Sequence, residues 1–193
     1  MKLLQPNKLI LIGASTGGPS DIKKILKSLS DNFNSPIIIA QHMGDEFISS
    51  FASHMNDNTH LMVKVAHNNE VLNSNTVYIV SKHSRIIQED IKLLFKITTD
   101  SKDIYNPNIN ALFTSCSHIS LEIDILACIL TGIGDDGAKG IGTLCVRNAS
   151  CIAANETSSA VYGMPQRAKE VSKDVQVLSI QEIINTINKF GVN

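Results

Sequence analysis

The sequence predicts a single α/β domain built on a doubly wound, mainly parallel sheet, with an antiparallel hairpin at one sheet edge. Short apolar runs at residues 9–12, 37–40, 77–80, 127–130 and 151–154 are continuous rather than alternating, as strands buried on both faces are. Helical patterns at 19–29, 47–55, 110–118, 138–147 and 180–190 fall between several of these runs and after the last. That is the βα alternation of an open sheet covered on both sides. A length of 193 residues with 43% hydrophobic residues suits one sizeable core and leaves a second domain cramped.

The first run begins only a few residues after Met1, so no independently folding module is expected ahead of it. It enters Gly13-Ala14-Ser15-Thr16-Gly17-Gly18-Pro19, where a glycine-flanked serine stands between a strand and a helix start. The G-x-S-x-G spacing is that of a nucleophile elbow, in which Gly13 and Gly17 allow a tight turn that lifts the Ser15 hydroxyl above the sheet. The same residues also read as a glycine-rich βα turn that binds phosphate or simply packs closely. The second run ends in Gln41-His42-Met43, and 127–130 ends in Thr131-Gly132-Ile133-Gly134-Asp135-Asp136-Gly137. Residues 85–97 alternate less cleanly and are assigned to the hairpin.

In open α/β sheets, sites gather beyond the carboxyl ends of the strands. Three such ends here offer Ser, His and Asp, the hydroxyl, imidazole and carboxylate that acyl transfer requires. Each also has a plainer reading. His42 alone suits a structural or exposed histidine, and Asp135-Asp136-Gly137 suits a helix N-cap after a glycine turn. Capping and catalysis can also divide the two carboxylates between them.

Several function classes are disfavoured. Lys and Arg number 17 against 18 Asp and Glu, with no long basic stripe, so nucleic acid is not an expected partner. Neither a signal sequence nor an uninterrupted run of about 18 apolar residues occurs, which places the chain in the cytoplasm without membrane insertion. Cys116, Cys128, Cys145 and Cys151 lack C-x-x-C spacing and read as reduced, buried core thiols. His54, His60, His67, His83 and His118 fall in helices or polar loops without tight metal-ligand spacing, and no metal is expected. A dinucleotide fold would want G-x-G-x-x-G in the first turn and an acid at the end of the second strand. The chain has Ala40-Gln41-His42 there and carries no P-loop sequence.

Taken together, these segments resemble the catalytic domain of the chemotaxis protein-glutamate methylesterases (CheB type). The resemblance rests on the Ser15 and His42 motifs, Val77-Tyr78-Ile79, the segment from Ile129 to Gly137, and Asn155-Glu156-Thr157-Ser158-Ser159-Ala160-Val161-Tyr162-Gly163-Met164-Pro165. In order and spacing these cover nearly the whole chain. The resemblance implies one catalytic domain over 1–193 without a receiver domain, and catalytic roles for Ser15, His42 and Asp136. It leaves Asp135 to cap the following helix. Backbone N–H groups of Thr16 and Ile133 are the expected oxyanion-hole donors.

The implied reaction is cofactor-free hydrolysis of glutamyl γ-methyl esters on the cytoplasmic helices of chemoreceptors, with receptor glutamine deamidation as a second activity. The chain is either a natural stand-alone form or an excised domain, and in the first case control would pass to receptor conformation, expression or a separate response regulator. The chain departs from the family at Gly44-Asp45-Glu46-Phe47-Ile48, at Tyr105-Asn106-Pro107-Asn108-Ile109-Asn110 and at Ile133, where methionine is usual. The loop around Tyr162, Gly163 and Met164 is read as packing. Two other classes stay open, a receptor-binding module without catalysis and an anion-binding protein using the Gly17-Gly18 helix start. Asp136→Asn is expected to cut turnover severely with little loss of fold.

Overall fold

A computed structural model describes residues 5–98 and 104–192. The strands are β1 (Lys8–Ala14), β2 (Ile37–Gln41), β3 (Met62–Val65), β4 (Thr76–Ile79), β5 (His83–Glu89), β6 (Lys92–Thr98), β7 (Asp124–Ile129), β8 (Ser150–Ala154) and β9 (Gln176–Leu178). The helices are α1 (Gly18–Lys27), α2 (Asp45–Asn56), α3 (Ile109–Cys116), α4 (Ala138–Cys145), α5 (Gly163–Val171) and α6 (Ile180–Gly191). Seven strands form one sheet in the order β3-β4-β2-β1-β7-β8-β9, and every neighbouring pair is parallel. The doubly wound sheet expected from the apolar runs is present.

The runs are continuous because both faces of the sheet are covered. Leu9 and Leu11 point to one side, where they join Phe113, Ile141 and Met164 from α3, α4 and α5. Ile10 and Ile12 point to the other, where they join Ile22, Ile48 and Ile183 from α1, α2 and α6. Each fully buried aliphatic side chain of this kind contributes about 1.5–3 kcal/mol. The central strands are therefore rigid supports for whatever their carboxyl ends carry.

The expected hairpin forms from β5 and β6, with His83 opposite Thr98 and Glu89 opposite Lys92. Its two strands make their own sheet and do not extend the seven-stranded one. Ile86, Leu93 and Phe95 bury into the α3 side of the core, and the Ile86 N–H donates to Ser115 Oγ at 2.9 Å. Three elements carry too weak a pattern to be anticipated. The edge strand β3 exposes Met62 at 61%, the edge strand β9 has three residues, and α5 buries only Met164, Pro165 and Ala168. Partial burial leaves little periodicity for a sequence to display. Among the described residues no helix is long and apolar enough to cross a membrane.

The cysteines separate into two kinds. Cys116, Cys128 and Cys151 are buried, whereas Cys145, expected in the core, is only half-buried at the end of α4. Burial pushes the Cys116 thiol up to about 12 and raises Cys128 as well, while a hydrogen bond with Cys151 pulls Cys145 below its ordinary value. At about pH 7.5, iodoacetamide is expected to label Cys145 first, because the thiolate is the nucleophile. Peptide mapping checks this, and earlier labelling of Cys116 or Cys128 in folded protein would overturn it.

Candidate active site

Parallel register brings the serine and histidine together. Ala14 on β1 lies opposite Gln41 on β2, so Ser15 and His42 are the next residues on adjoining strands, and the His42 N–H donates to the Ala14 carbonyl at 2.9 Å. On the other side of β1, Gly13 lies opposite Ile129 on β7, and the Ser15 N–H donates to the Thr131 carbonyl at 2.9 Å. The turn after Ser15 closes through a Gly18 N–H bond to the Ser15 carbonyl at 2.9 Å, and Pro19 enters the first turn of α1. Gly17 caps that helix at φ +86°, and a Cβ there would lie 2.6 Å from Ala160 Cβ, so glycine is needed both for backbone freedom and for space.

Asp136 is fully buried and its carboxylate is saturated with donors. Oδ2 pairs with His42 Nε2 at 2.8 Å and accepts the Ile109 N–H at 2.8 Å, while Oδ1 accepts the N–H groups of Asn110 and Gly137, both at 2.9 Å. Ile109 and Asn110 open α3, so the carboxylate rests on a helix N-terminus, where free N–H groups and the helix dipole favour negative charge. A carboxylate only accepts, so the Nε2 proton is donated to it and the Nδ1 lone pair is left basic. Ser15 is half-buried, and its Oγ makes no protein hydrogen bond among the described residues.

Asp135 does not cap α4. The residue at that helix start is Gly137, at φ +90°, without any side-chain cap, and Asp135 instead accepts the Tyr105 hydroxyl at 3.2 Å. Two consecutive carboxylates diverge at the turn, and the inward one, Asp136, satisfies the Gly137 N–H. Neither carboxylate caps α4, and the N-terminus that Asp136 serves is that of α3.

Thr16 follows Ser15 in its own turn, and Ile133 follows Gly132 in the turn after β7. Both are exposed, Ile133 at 63%, and neither backbone N–H has a protein acceptor among the described residues. Gly132, one residue before Ile133, approaches so closely that a Cβ there would lie 2.7 Å from Ser15 Cβ. The Thr131 hydroxyl, buried beneath this turn, donates to the Thr16 carbonyl at 2.9 Å and accepts the Val161 N–H at 2.9 Å. The Gly132 N–H donates to the Val161 carbonyl and its carbonyl accepts the Met164 N–H, so the loop around Tyr162 packs under the turn.

Gln41 is a site residue that the sequence reading quoted without assigning a role. It is 2% exposed, and its Nε2 donates to the carbonyls of Ser15 at 2.9 Å and His42 at 3.0 Å. One amide therefore ties the serine turn to the histidine strand end. The available signal was a lone polar residue closing the run Ile37-Ile38-Ile39-Ala40. Gln41→Leu is expected to lower kcat about tenfold through misplacement of the two side chains, and to cost about 2 kcal/mol for two lost hydrogen bonds. Steady-state kinetics with urea unfolding checks it, and unchanged kcat would remove Gln41 from the positioning machinery.

A cleft of about 710 Å³ opens beside this cluster, lined by Asn110, Gly134, Asp135, Lys139, Gly163 and Arg167 among others. It starts one residue from Asp136 and does not include Ser15 or His42, so it is a groove beside that cluster rather than part of it. Among the described residues no three His, Cys, Asp or Glu side chains gather as metal ligands would.

Comparison with known proteins gives this geometry a context. The chain is 34% identical over 186 residues to the protein-glutamate methylesterase/protein-glutamine glutaminase of Oceanobacillus iheyensis, covering 94% of this chain and 53% of that protein. It is 36% identical over 183 residues to the enzyme of that name of the group 3 operon of Rhizobium meliloti, covering 94% and 51%. The chain thus spans about half the length of these curated relatives. The crystal structure of the Thermotoga maritima CheB methylesterase catalytic domain superposes with a TM-score of 0.88 at 29% identity, covering 95% of this chain and 98% of that one. Residues 10–187 match the model of the CheB methylesterase family, and the chain belongs to that family.

Proposed function

We propose that this protein hydrolyses glutamyl γ-methyl esters on the cytoplasmic helices of chemoreceptors, with Ser15 as nucleophile, His42 as general base and acid, and Asp136 as the carboxylate that orients it. The observation that carries the reading is the 2.8 Å pairing of His42 Nε2 with the fully buried Asp136, at a strand end adjoining that of Ser15. The names of the relatives and the family membership support the substrate class.

In the acylation step Ser15 Oγ attacks the ester carbonyl while His42 Nδ1 takes its proton. The oxyanion of the tetrahedral intermediate meets the N–H groups of Thr16 and Ile133, where losing one donor typically costs about 2.7–4 kcal/mol of barrier. The C–O bond to the leaving group breaks, and His42 delivers the proton to departing methanol. Water then attacks the acyl-serine, His42 takes a water proton and returns it to Ser15, and glutamate is released. Asp136 remains ionised, balancing the imidazolium formed in each half of the cycle. A Ser15 hydroxyl without a protein hydrogen bond among the described residues fits a nucleophile whose contact with its base tightens as substrate binds.

A glutaminyl amide enters the same cycle with ammonia as leaving group, and the relatives' second name, protein-glutamine glutaminase, favours this as an additional activity. The test is methanol release from methylated receptor cytoplasmic fragments, combined with mapping of a fluorophosphonate adduct. Release together with a single adduct on Ser15 is the expected result. A folded protein that gives neither, even with a phosphorylated response regulator added, would overturn the esterase reading in favour of binding without catalysis.

A further inference from the structure

Among the described residues, the imidazole of His42 is hydrogen-bonded at one edge, to Asp136. A single hydrogen bond through Nε2 leaves the ring free to rock about the line joining the two groups, and rocking changes the direction in which Nδ1 points. The structure closes this freedom from another direction. The Tyr105 ring lies parallel to the imidazole, with centroids 5.2 Å apart and planes inclined by 5°. That is the offset-stacked arrangement aromatic rings favour.

The tyrosine and the residue after it are each held by a carboxylate. Its hydroxyl donates to Asp135 Oδ1 at 3.2 Å, and Gly134, at φ +94°, leaves room for the phenol, since a Cβ there would approach the hydroxyl oxygen to 3.0 Å. Desolvation and then the Asp135 bond raise the phenol above its ordinary pKa of 10.0, so it stays an O–H donor. The next residue, Asn106, donates through Nδ2 to Asp45 Oδ1 at 3.1 Å. Asp45 begins α2, just after the strand that carries His42, and Asp135 adjoins Asp136. The Tyr105-Asn106 segment therefore spans the two strand ends that supply base and acid.

We propose that Tyr105 is a positioning residue for His42, its ring fixing the plane of an imidazole that Asp136 fixes only at one edge, with Asp135 as the tether. This rests on the reading of His42 as the general base. It also assigns the outward carboxylate of the Asp135-Asp136 pair a role other than helix capping. During turnover the phenol face stays against the ring, within the roughly 6 Å range of a cation–π contact, and holds its orientation while it carries the proton.

The experiment compares Tyr105→Leu, Tyr105→Phe and wild type on a methyl-ester substrate, and records the His42 ring-proton NMR signals of each. Tyr105→Leu is expected to lower kcat about tenfold with KM within about twofold, the pattern of an interaction that matters in the transition state. Tyr105→Phe keeps the ring and loses the tether, so kcat recovers to within about threefold of wild type. The His42 ring protons move downfield in the Leu variant as the aromatic ring current is removed, and stay near their wild-type positions in the Phe variant. A merely structural tyrosine would move neither signal nor show rescue by Phe.

If Tyr105→Leu does not fold, Asp135→Ala, at an exposed position, releases the tether alone and is expected to broaden the same signals and halve kcat. Unshifted His42 signals in the Leu variant, or a Phe variant as slow as the Leu variant, would overturn the proposal. The ring-current signature can be read in Ser15→Ala protein without turnover. An intact signature with an inactive wild type therefore strikes only at the esterase reading, and a missing signature with an active wild type strikes only at Tyr105.

Discussion

Ser15→Ala is expected to lower methyl-ester turnover by about 10⁴- to 10⁶-fold, the range seen when a serine nucleophile is removed from a triad. The fold should be indifferent to the change. Ser15 Oγ makes no protein hydrogen bond among the described residues, and the backbone N–H and carbonyl of residue 15, which bond to Thr131, Gly18 and Gln41, are untouched. Unfolding free energy is expected to stay within about 0.5 kcal/mol of wild type. Methanol release measured beside urea denaturation checks both halves. Residual turnover within tenfold of wild type would mean that another group attacks the ester, and a large loss of stability would mean that the hydroxyl has a structural partner.

Asp136 should behave differently, because the structure gives it two tasks. Its carboxylate orients His42 and also accepts the N–H groups of Ile109, Asn110 and Gly137 at 2.8–2.9 Å, which ties the start of α3 and the cap of α4 to the site. Asp136→Ala is expected to lower kcat about 10⁴-fold and to cost about 3–5 kcal/mol, since buried donors lose their acceptor. Asp136→Asn keeps the volume but turns an NH2 group toward donors. The sequence alone suggested that this variant would fold almost normally, whereas four donors aimed at one carboxylate predict measurable destabilisation as well as slow turnover. Kinetics and thermal unfolding of both variants decide. Full stability in the Ala variant would show that the three N–H bonds contribute little, and turnover within tenfold would exclude Asp136 as the partner of His42.

How much of the site can be read from sequence depends on how local the physics is. Gly17 is recognisable because a strand-to-helix turn with a positive φ demands glycine within a few residues of the serine. Gln41 was visible as a polar end to an apolar strand, yet its task follows only from the register that sets it opposite Ala14. Tyr105 was noted only as the start of a departing segment: nothing in a polar loop indicates that it will lie flat on a histidine more than sixty positions away. The hairpin was legible as a pair of strands. Its seat over α3 was not, since that depends on side chains such as Ile86 and Ser115 meeting across the core.

The sequence by itself determined the buried parallel strands, the tight turn at Ser15 and the residue types gathered at the strand ends, because each follows from burial or backbone geometry within a short run. No local pattern chose between the two adjacent carboxylates; the family resemblance pointed to Asp136, and only the tertiary structure showed how it meets His42 and what Asp135 holds. Those partners lie 94 positions apart for His42 and Asp136, and 30 for Tyr105 and Asp135. Their meeting depends on strand order and register across the sheet, which no local pattern encodes.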